Sequence, residues 1–152
     1  MSAPISLLIA EDDEGHATLV QRNLRRGGLV ADLVHLRDGQ ELIDYLYRRA
    51  SFEHRPDHGQ IAVLLDLNMP RLGGFEVLRR VKADETLARI PVFVLTTTDN
   101  PAEIDRCYRM GAAACLVKPL DYGGFGVMVQ RLAGFLMTVQ MPPETTVGRL
   151  TT

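Results

Sequence analysis

The sequence predicts an α/β fold, in which one parallel β-sheet is flanked by helices. Short apolar runs alternate along the chain with segments of about 10–15 residues that carry apolar residues at helical spacing, a pattern typical of βαβ units. One run, Ile61 to Leu65, is apolar at every position, as expected of a strand that is buried on both faces of a parallel sheet. At 152 residues the chain is long enough for one domain with a full core.

The first half of the chain divides into two strand–helix pairs and a loop. The predicted elements are a strand at Ile5–Ala10, a helix at Gly15–Arg26, a strand at Leu29–Leu36, a helix at Gln40–Arg49 and a polar loop at Ala50–Gln60. Gly27 and Gly28 end the first helix, as glycine commonly does. Because Asp32 and His35 interrupt the second strand, we expect that strand to lie nearer an edge of the sheet.

The second half continues the alternation with three more strands. With the strand at Ile61–Leu65 we predict a helix from about Gly74, a strand at Pro91–Leu95, a helix from Pro101 to Met110, a strand at Ala114–Val117 and a long helix at Tyr122–Val139. Asn100 precedes Pro101 and is a candidate helix cap. The proline pair that begins at Pro142 closes the last helix, so we expect one domain over residues 1–141 and a polar tail over 142–152.

Composition and charge argue against several classes of function. The formal net charge of −2 indicates no basic surface for nucleic acid or for an anionic membrane. The first residues lack the basic segment and the apolar length of a signal peptide, and no stretch approaches the ~20 apolar residues of a membrane span. Since there are only two cysteines, Cys107 and Cys115, no disulfide framework is indicated. We therefore expect a cytoplasmic protein without nucleic-acid or membrane partners.

Polar residues follow four of the predicted strands. Glu11 and Asp12 follow the first strand, Asp66 the third, Thr96 the fourth and Lys118 the fifth. Right-handed crossovers place the carboxyl ends of parallel strands at one edge of the sheet, where open α/β sheets bind their ligands. Taken alone, Asp66 is also a candidate cap of the next helix. The convergence of acidic, hydroxyl and ammonium groups favours a functional site instead.

This set of groups suits phosphoryl transfer. Three carboxylates repel one another and a hard divalent cation relieves the repulsion, so Glu11, Asp12 and Asp66, with a backbone carbonyl after Asp66, form a candidate Mg²⁺ site. A carboxylate can attack phosphorus to give an acyl phosphate. Asp66 is the best nucleophile candidate because it ends the most apolar, and hence central, strand. Lys118 and the Thr96 hydroxyl would hold the oxygens of the transferred group.

At these residues the chain resembles the receiver domain of two-component response regulators. The resemblance rests on Glu11-Asp12, on the D-x-N-M-P-x-x-x-G run from Asp66 to Gly74, on Thr96 and on Lys118-Pro119. It covers about Ile5 to Val139. It implies a doubly wound, flavodoxin-like parallel sheet of five strands in the order 2-1-3-4-5, with helices on both faces.

The resemblance also implies a role for each site residue. Asp66 would accept a phosphoryl group from the phosphohistidine of a sensor histidine kinase. Lys118 would contact that group, and Thr96 would turn towards it on activation. The Mg²⁺ ligands would be Glu11, Asp12, Asp66 and the backbone carbonyl of Asn68. The protein would then be a signalling phosphoprotein rather than an enzyme, apart from its own phosphorylation and dephosphorylation.

Two segments resemble the small stand-alone regulators that partner cyanobacterial and bacterial phytochromes. These are the polar connection from Arg48 to Gln60 and the terminal segment from Phe135 to Glu144. The resemblance implies a phytochrome-type histidine kinase as the partner. Since the receiver takes up the whole sequence, we expect no DNA-binding output domain, and the output would be protein–protein contact or phosphate relay.

One position departs from the family pattern. Receivers usually carry an aromatic residue three positions before the lysine, where this chain has Cys115. A small thiol cannot swing between buried and exposed positions as a ring does, so the usual coupling between that ring and the threonine is not expected here. We interpret Cys115 as a small buried hydrophobic residue rather than a redox-active thiol.

The last helix is more apolar than one core-facing stripe requires. Its apolar residues and those just beyond it are Phe125, Val127, Met128, Val129, Leu132, Phe135, Leu136, Met137, Val139 and Met141. A second apolar face usually marks an interface. We therefore predict a symmetric homodimer through the fourth helix, the fifth strand and the fifth helix, with the segment beyond Phe135 in or beside the interface.

Two other functions use similar residues. A phosphatase of the haloacid-dehalogenase type also combines an Asp nucleophile, a Thr, a Lys and Mg²⁺, but it normally has a second Asp two positions after the nucleophile, where this chain has Asn68. Its later acidic pair is missing too, because the pair here precedes the nucleophile. A flavin-binding module needs a hydroxyl- and glycine-rich loop after the first strand, and Glu11, Asp12 and Asp13 would repel the flavin phosphate. The receiver interpretation is preferred over both.

Overall fold

Five parallel strands form one sheet in the order β2-β1-β3-β4-β5 in the computed structural model, which describes residues 5–55 and 59–142. The elements are β1 (Ile5–Ala10), α1 (Glu14–Arg26), β2 (Asp32–Leu36), α2 (Gly39–Tyr47), β3 (Gln60–Asp66), α3 (Gly74–Ala83), β4 (Val92–Thr96), α4 (Pro101–Arg109), β5 (Ala114–Val117) and α5 (Tyr122–Leu136), with a short 3-10 helix at Ala50–Phe52 after α2. The α/β class and the doubly wound strand order are confirmed.

The sheet separates two apolar cores. On one face the strands pack against α2, α3 and α4, and on the other against α1 and α5. Side chains of β3 alternate between them, since Val63 and Leu65 belong to the first core and Ala62 and Leu64 to the second. This double burial is the physical reason for the unbroken apolar run, and it places the end of β3 in the middle of the sheet.

Four helices begin at a polar cap residue. The side chains of Asp13, Asp38, Asn100 and Asp121 accept a backbone N–H of α1, α2, α4 and α5, respectively, which satisfies donors that a helix start leaves free. The expected cap at Asn100 is confirmed. The helix after β3 instead begins after Gly73 without a side-chain cap. Asp66 is therefore not the cap of α3.

The second strand begins at Asp32, whereas the sequence predicts a start at Leu29. Gly28 adopts a positive φ of 94°, its N–H donates to the carbonyl of Arg25, and the Leu29 N–H donates to the carbonyl of Leu24. This pair of bonds is a Schellman motif, which uses Leu29 to finish α1. The apolar character of Leu29 therefore serves the end of the helix and not the strand.

The last helix ends at Leu136 rather than at Val139. The chain then turns back over the sheet, where Met141 is buried in the core shared with α1 and α5, and its carbonyl accepts the side-chain N–H of Gln60 at 3.4 Å. The predicted polar tail lies almost wholly outside the described residues. Over the described ranges, no helix is both long enough and apolar enough to span a bilayer.

Candidate functional site

Strand register brings the predicted site residues to one edge of the sheet. Ala10 of β1 pairs with Leu65 of β3, so the residues that follow them, Glu11 and Asp66, stand side by side. Thr96 ends the neighbouring strand β4 and pairs with Val117 of β5, the residue before Lys118. Glu11, Asp66 and Thr96 are all buried. The predicted convergence of four strand ends is therefore present.

The carboxylate of Asp66 is held by two donors. Lys118 Nζ lies 2.7 Å from Oδ2, and the backbone N–H of Asn68 donates to Oδ1 at 2.8 Å. Burial acts to raise the pKa of Asp66, but hydrogen bonding to the Glu11 carboxyl, to Lys118 and to the Asn68 N–H holds that pKa below its usual value. Asp66 is therefore anionic at neutral pH, as a nucleophile must be.

The carboxyl group of Glu11 has the opposite character. Burial, together with the adjacent Asp66 carboxyl, raises the pKa of Glu11 to about 9. No described residue donates a hydrogen bond to its buried Oε2. Two carboxyl groups that face each other in this way share a proton or take up a cation. An oxygen pair of this kind fits a hard divalent ion, which takes oxygen ligands.

The remaining predicted metal ligands are more open to solvent. Asp12 and Asn68 are exposed. In the part of the chain that the structure describes, no three His, Cys, Asp or Glu side chains converge as a ready-made metal cluster. Mg²⁺ does not need one, because it commonly uses one or two carboxylates and keeps several waters. Glu11 and Asp66 are the candidates for that pair.

Thr96 and Lys118 are linked through the backbone of their strands. The Lys118 N–H donates to the carbonyl of Thr96 at 2.8 Å, and the Thr96 hydroxyl accepts the N–H of Thr98 at 3.1 Å. The hydroxyl therefore shapes its own loop in this conformation. A cavity of about 270 Å³ lies between this loop and the one after β3, with Asn68 and Phe75 in its wall.

Close packing of the loop after β3 explains a glycine of the sequence motif. A Cβ on Gly74 would lie 2.6 Å from the Cα of Leu67 and 2.8 Å from the carbonyl oxygen of Asp66. Only glycine lets α3 begin this close to the end of β3. An ion pair also holds this loop in place, because Nε of Arg71 lies 2.8 Å from Oδ2 of Asp38, the cap of α2.

Sequence reasoning missed two contacts around the site. One is the Arg71–Asp38 pair, which joins two loops that are distant in sequence. The other is His16, whose Nδ1 lies 3.1 Å from Oε1 of Glu11. No sequence spacing predicts the Arg71–Asp38 pair. The His16–Glu11 contact could have been predicted, because a side chain in the first turn of a helix leans back towards the residues before that helix.

Ionisation of Asp38 makes the stability of the fold depend on pH in the acid range. Burial acts to raise its pKa, but the bonds from Arg71 and from the Glu41 N–H lower that pKa below the usual 3.8. Asp38 therefore stabilises the fold fully above pH 3.8, and the contribution is lost as pH falls through the lower, folded-state pKa. Asp38→Ala should reduce the free energy of unfolding in urea by about 1 kcal/mol at pH 7. The difference should shrink below pH 4, whereas the exposed Asp99→Ala control should change little; a constant difference would contradict this account.

The two cysteines lie together between α4 and β5. Both are free thiols, and burial with the neighbouring Cys115 raises the pKa of Cys107 to about 11. Burial also raises the pKa of Cys115. Neither thiol is therefore activated at neutral pH. Cys115 packs against the core as a small residue but is only partly buried, so the prediction of a buried position is wrong. The hydroxyl of Tyr108, on α4, accepts the Cys115 N–H at 3.1 Å.

Comparison with known proteins agrees with this geometry. The family model of the response regulator receiver domain matches residues 7–130. Response regulator Rcp1 of Synechocystis sp. is 35% identical over 140 residues, covering 91% of this chain and 94% of Rcp1. The crystal structure of the Mn²⁺-bound form of Rcp1 has a TM-score of 0.84 at 33% identity, over 91% of this chain and 99% of that one.

Two further solved structures are similar over nearly the whole chain. The phosphorylated cyanobacterial phytochrome response regulator RcpA has a TM-score of 0.81 at 32% identity, over 92% of this chain and 99% of that one. A response regulator in red light signaling of R. palustris has a TM-score of 0.79 at 34% identity, over 91% and 98%. The chain therefore belongs to the response regulator receiver domain family, and its relatives include phytochrome-associated response regulators.

Proposed function

We propose that this protein is a phosphorylation switch in which Asp66 accepts a phosphoryl group from the phosphohistidine of a sensor histidine kinase, with Mg²⁺. The observation that carries the proposal is the buried, anionic Asp66 between the ammonium of Lys118 at 2.7 Å and the unpartnered Oε2 of Glu11. On one side of Asp66, Lys118 supplies a fixed positive charge. On the other side, Glu11 supplies oxygen ligands for a metal cation. Transfer to a carboxylate needs positive charge on both sides of the moving group.

In the proposed reaction a carboxylate oxygen of Asp66 attacks phosphorus. The new P–O bond forms as the P–N bond to the kinase imidazole breaks, and the electron pair of that bond returns to the ring nitrogen. The Asn68 N–H donates to Oδ1 of Asp66 and so fixes the orientation of the carboxylate. Lys118 then contacts an oxygen of the transferred group. Glu11, Asp12, Asp66 and the Asn68 carbonyl would hold Mg²⁺, which would supply further charge neutralisation when bound.

Signalling is proposed to run through the loop after β4. Once a phosphoryl group is present, the Thr96 hydroxyl turns away from the Thr98 N–H, from which it accepts a hydrogen bond, and donates its own O–H to a phosphoryl oxygen, which moves the loop that precedes α4. No strand-5 ring takes part, since that position is Cys115. A beryllium fluoride adduct should therefore perturb amide resonances of Thr98 and α4 without a ring rotation on β5.

The reaction is stoichiometric rather than catalytic. With acetyl phosphate and Mg²⁺, the intact mass should increase by one phosphoryl group per chain, and the increase should disappear when the metal is chelated. A chain without metal leaves two carboxyl groups facing the incoming phosphoryl oxygens, which repel them. Continuous hydrolysis of p-nitrophenyl phosphate by the purified protein would support a haloacid-dehalogenase-type phosphatase instead.

The partner is proposed to be a phytochrome-type sensor histidine kinase in the cytoplasm. Support comes from the similarity to RcpA, which is a phytochrome response regulator, and to a regulator in red light signaling. Phosphotransfer profiling against the histidine kinases of the source cell tests this partner. Transfer from a phytochrome-type kinase at the fastest rate supports it, and preference for another kinase class overturns it.

A second copy of the chain is the other proposed partner. Between α5 and β5 lies a groove of about 680 Å³, and its walls are almost entirely apolar. The lining residues include Phe93, Leu116, Val127, Met128, Leu132 and Phe135. Val127 and Phe135 are about half exposed. A self-complementary dimer would cover these side chains. Among the described residues α4 does not line the groove, and Met141 lies outside it, buried in the core shared with α1 and α5.

Val127→Asp should dissociate the dimer. Two-fold symmetry places the substituted carboxylate in the interface twice, and each burial is unfavourable by several kcal/mol. We expect the dimer dissociation constant in sedimentation equilibrium to rise at least about 100-fold. Val30→Asp is the matched control, because Val30 is exposed but lies outside the groove. A wild-type protein that stays monomeric at tens of micromolar, with and without phosphorylation, would contradict the dimer.

A further inference from the structure

The two carboxylate oxygens of Glu11 have different surroundings. Oε1 lies 3.1 Å from Nδ1 of His16, whereas Oε2 is buried and receives no hydrogen bond from any residue that the structure describes. The Glu11 carboxyl group faces the Asp66 carboxyl group, and this neighbour contributes to the raised pKa of Glu11. One oxygen is therefore occupied by a neighbouring side chain, and the other is left for the metal.

His16 is itself held in place from two directions. Its backbone N–H donates to Oδ1 of Asp13 at 2.9 Å, which fixes it in the first turn of α1. Its ring stacks on Phe125 of α5, with centroids 5.4 Å apart and planes inclined by 20°. Phe125 is buried in the core between α1 and α5. The imidazole is therefore a rigid support, although it is itself partly exposed.

The main chain of Glu11 is fixed separately. Nε2 of His35, on the neighbouring strand β2, lies 2.6 Å from the carbonyl oxygen of Glu11, and the Glu11 N–H donates to the carbonyl of Leu36 at 3.0 Å. The backbone therefore needs no help from His16. What His16 adds is restriction of the three side-chain torsions of Glu11, which ordering at a metal site otherwise costs in entropy.

We infer that His16 is a positioning residue for the Mg²⁺ site: its Nδ1–H engages Oε1 of Glu11 and thereby directs Oε2 towards the ion. The inference rests on the Mg²⁺ site proposed above. Groups that hydrogen-bond to a metal ligand orient that ligand, and their removal typically weakens metal affinity by about 10–100-fold. Since His16 stacks on Phe125, the first turn of α5 also becomes part of the support of this site.

The test compares Mg²⁺ dissociation constants by isothermal titration calorimetry for the wild-type chain, His16→Leu and His16→Asn. Leucine keeps the apolar contact with Phe125 but has no donor, so we expect its dissociation constant to rise about 10-fold. Asparagine places an amide N–H near the position of Nδ1, so it should recover most of that loss. Without metal, the free energy of unfolding in urea should be similar for the three proteins. A purely structural role of His16 would instead lower it in the two variants.

Each outcome separates this inference from the proposed function. A wild-type protein that does not bind Mg²⁺ overturns the metal site and the inference together. A wild-type protein that binds, with a leucine variant that binds equally well, overturns the inference alone. Equal weakening of both variants would assign the effect to the stacked ring and not to the Nδ1–H donor, and would also overturn it. If the leucine variant does not fold, the same comparison is made with His16→Ala.

Discussion

Asp66→Asn is expected to abolish phosphorylation by acetyl phosphate. An amide does not attack phosphorus as a carboxylate does, while the substitution preserves the size of the side chain and an oxygen that accepts the Asn68 N–H, which in the wild type lies 2.8 Å from Oδ1. The charge balance of the site also changes. Removal of the Asp66 carboxylate relieves Glu11 of its neighbouring carboxyl group, which contributes to its raised pKa. The variant should therefore fold and should bind Mg²⁺ more weakly.

The measurement is the intact mass after incubation with acetyl phosphate and Mg²⁺, quenched in acid. Asp32→Asn serves as the matched control, because Asp32 is an exposed aspartate at the start of β2, at the opposite end of the strands from Asp66, and the variant should be phosphorylated like the wild type. Slow labelling of the Asp66 variant would indicate that a second carboxylate, such as Asp12, can substitute. Labelling at the wild-type rate would contradict the assignment of Asp66 as the acceptor.

Lys118→Ala is expected to slow phosphoryl transfer by about 100- to 1,000-fold, the range typical for removal of one group that stabilises a transition-state charge. The ammonium lies 2.7 Å from Oδ2 of Asp66 with only 10% of the Lys118 side chain exposed, so water replaces it poorly. Without it, Asp66 also loses an interaction that lowers its pKa. Acid-quenched mass spectra collected over time give the rate, and they suit this chain because it has no tryptophan to report by fluorescence.

Lys118→Arg separates charge from geometry. It keeps the positive charge but not the compact ammonium that fits at 2.7 Å, so the rate should lie between those of the wild type and the alanine variant. Mg²⁺ binding should persist in both variants, because Lys118 is not a metal ligand. If Lys118→Ala is phosphorylated at the wild-type rate, the lysine is an ordinary ion-pair partner of Asp66 and has no role in transfer.

The parts of the fold that follow from local chemistry were predictable. The run from Ile61 to Leu65 had to be buried on both faces, and it is the central strand. Once the chain is read as right-handed βαβ units, the polar residues after the strands must meet at one edge. Glu11, Asp66, Thr96 and Lys118 do meet there. Their convergence depends on topology and not on the details of packing.

The features that escaped prediction are of two kinds. Leu29 looks like a strand residue, but it completes the local Schellman motif at the end of α1. The ring of His16 stacks on Phe125, which comes from the far end of the chain. Arg71 reaches Asp38 across two loops. No spacing rule joins His16 to Phe125 or Arg71 to Asp38, since each of these pairs is brought together by the packing of separate elements.

The central claim is that the phosphoryl group is attached to Asp66 as an acyl phosphate. The most direct measurement is site mapping: the phosphorylated full chain is reduced with borohydride, which converts the acyl phosphate of an aspartate to homoserine, and the peptides are sequenced by tandem mass spectrometry. We predict homoserine at position 66 only, and only when both Mg²⁺ and the phosphodonor were present. Homoserine at another aspartate, or a phosphate that survives base treatment, would contradict the account.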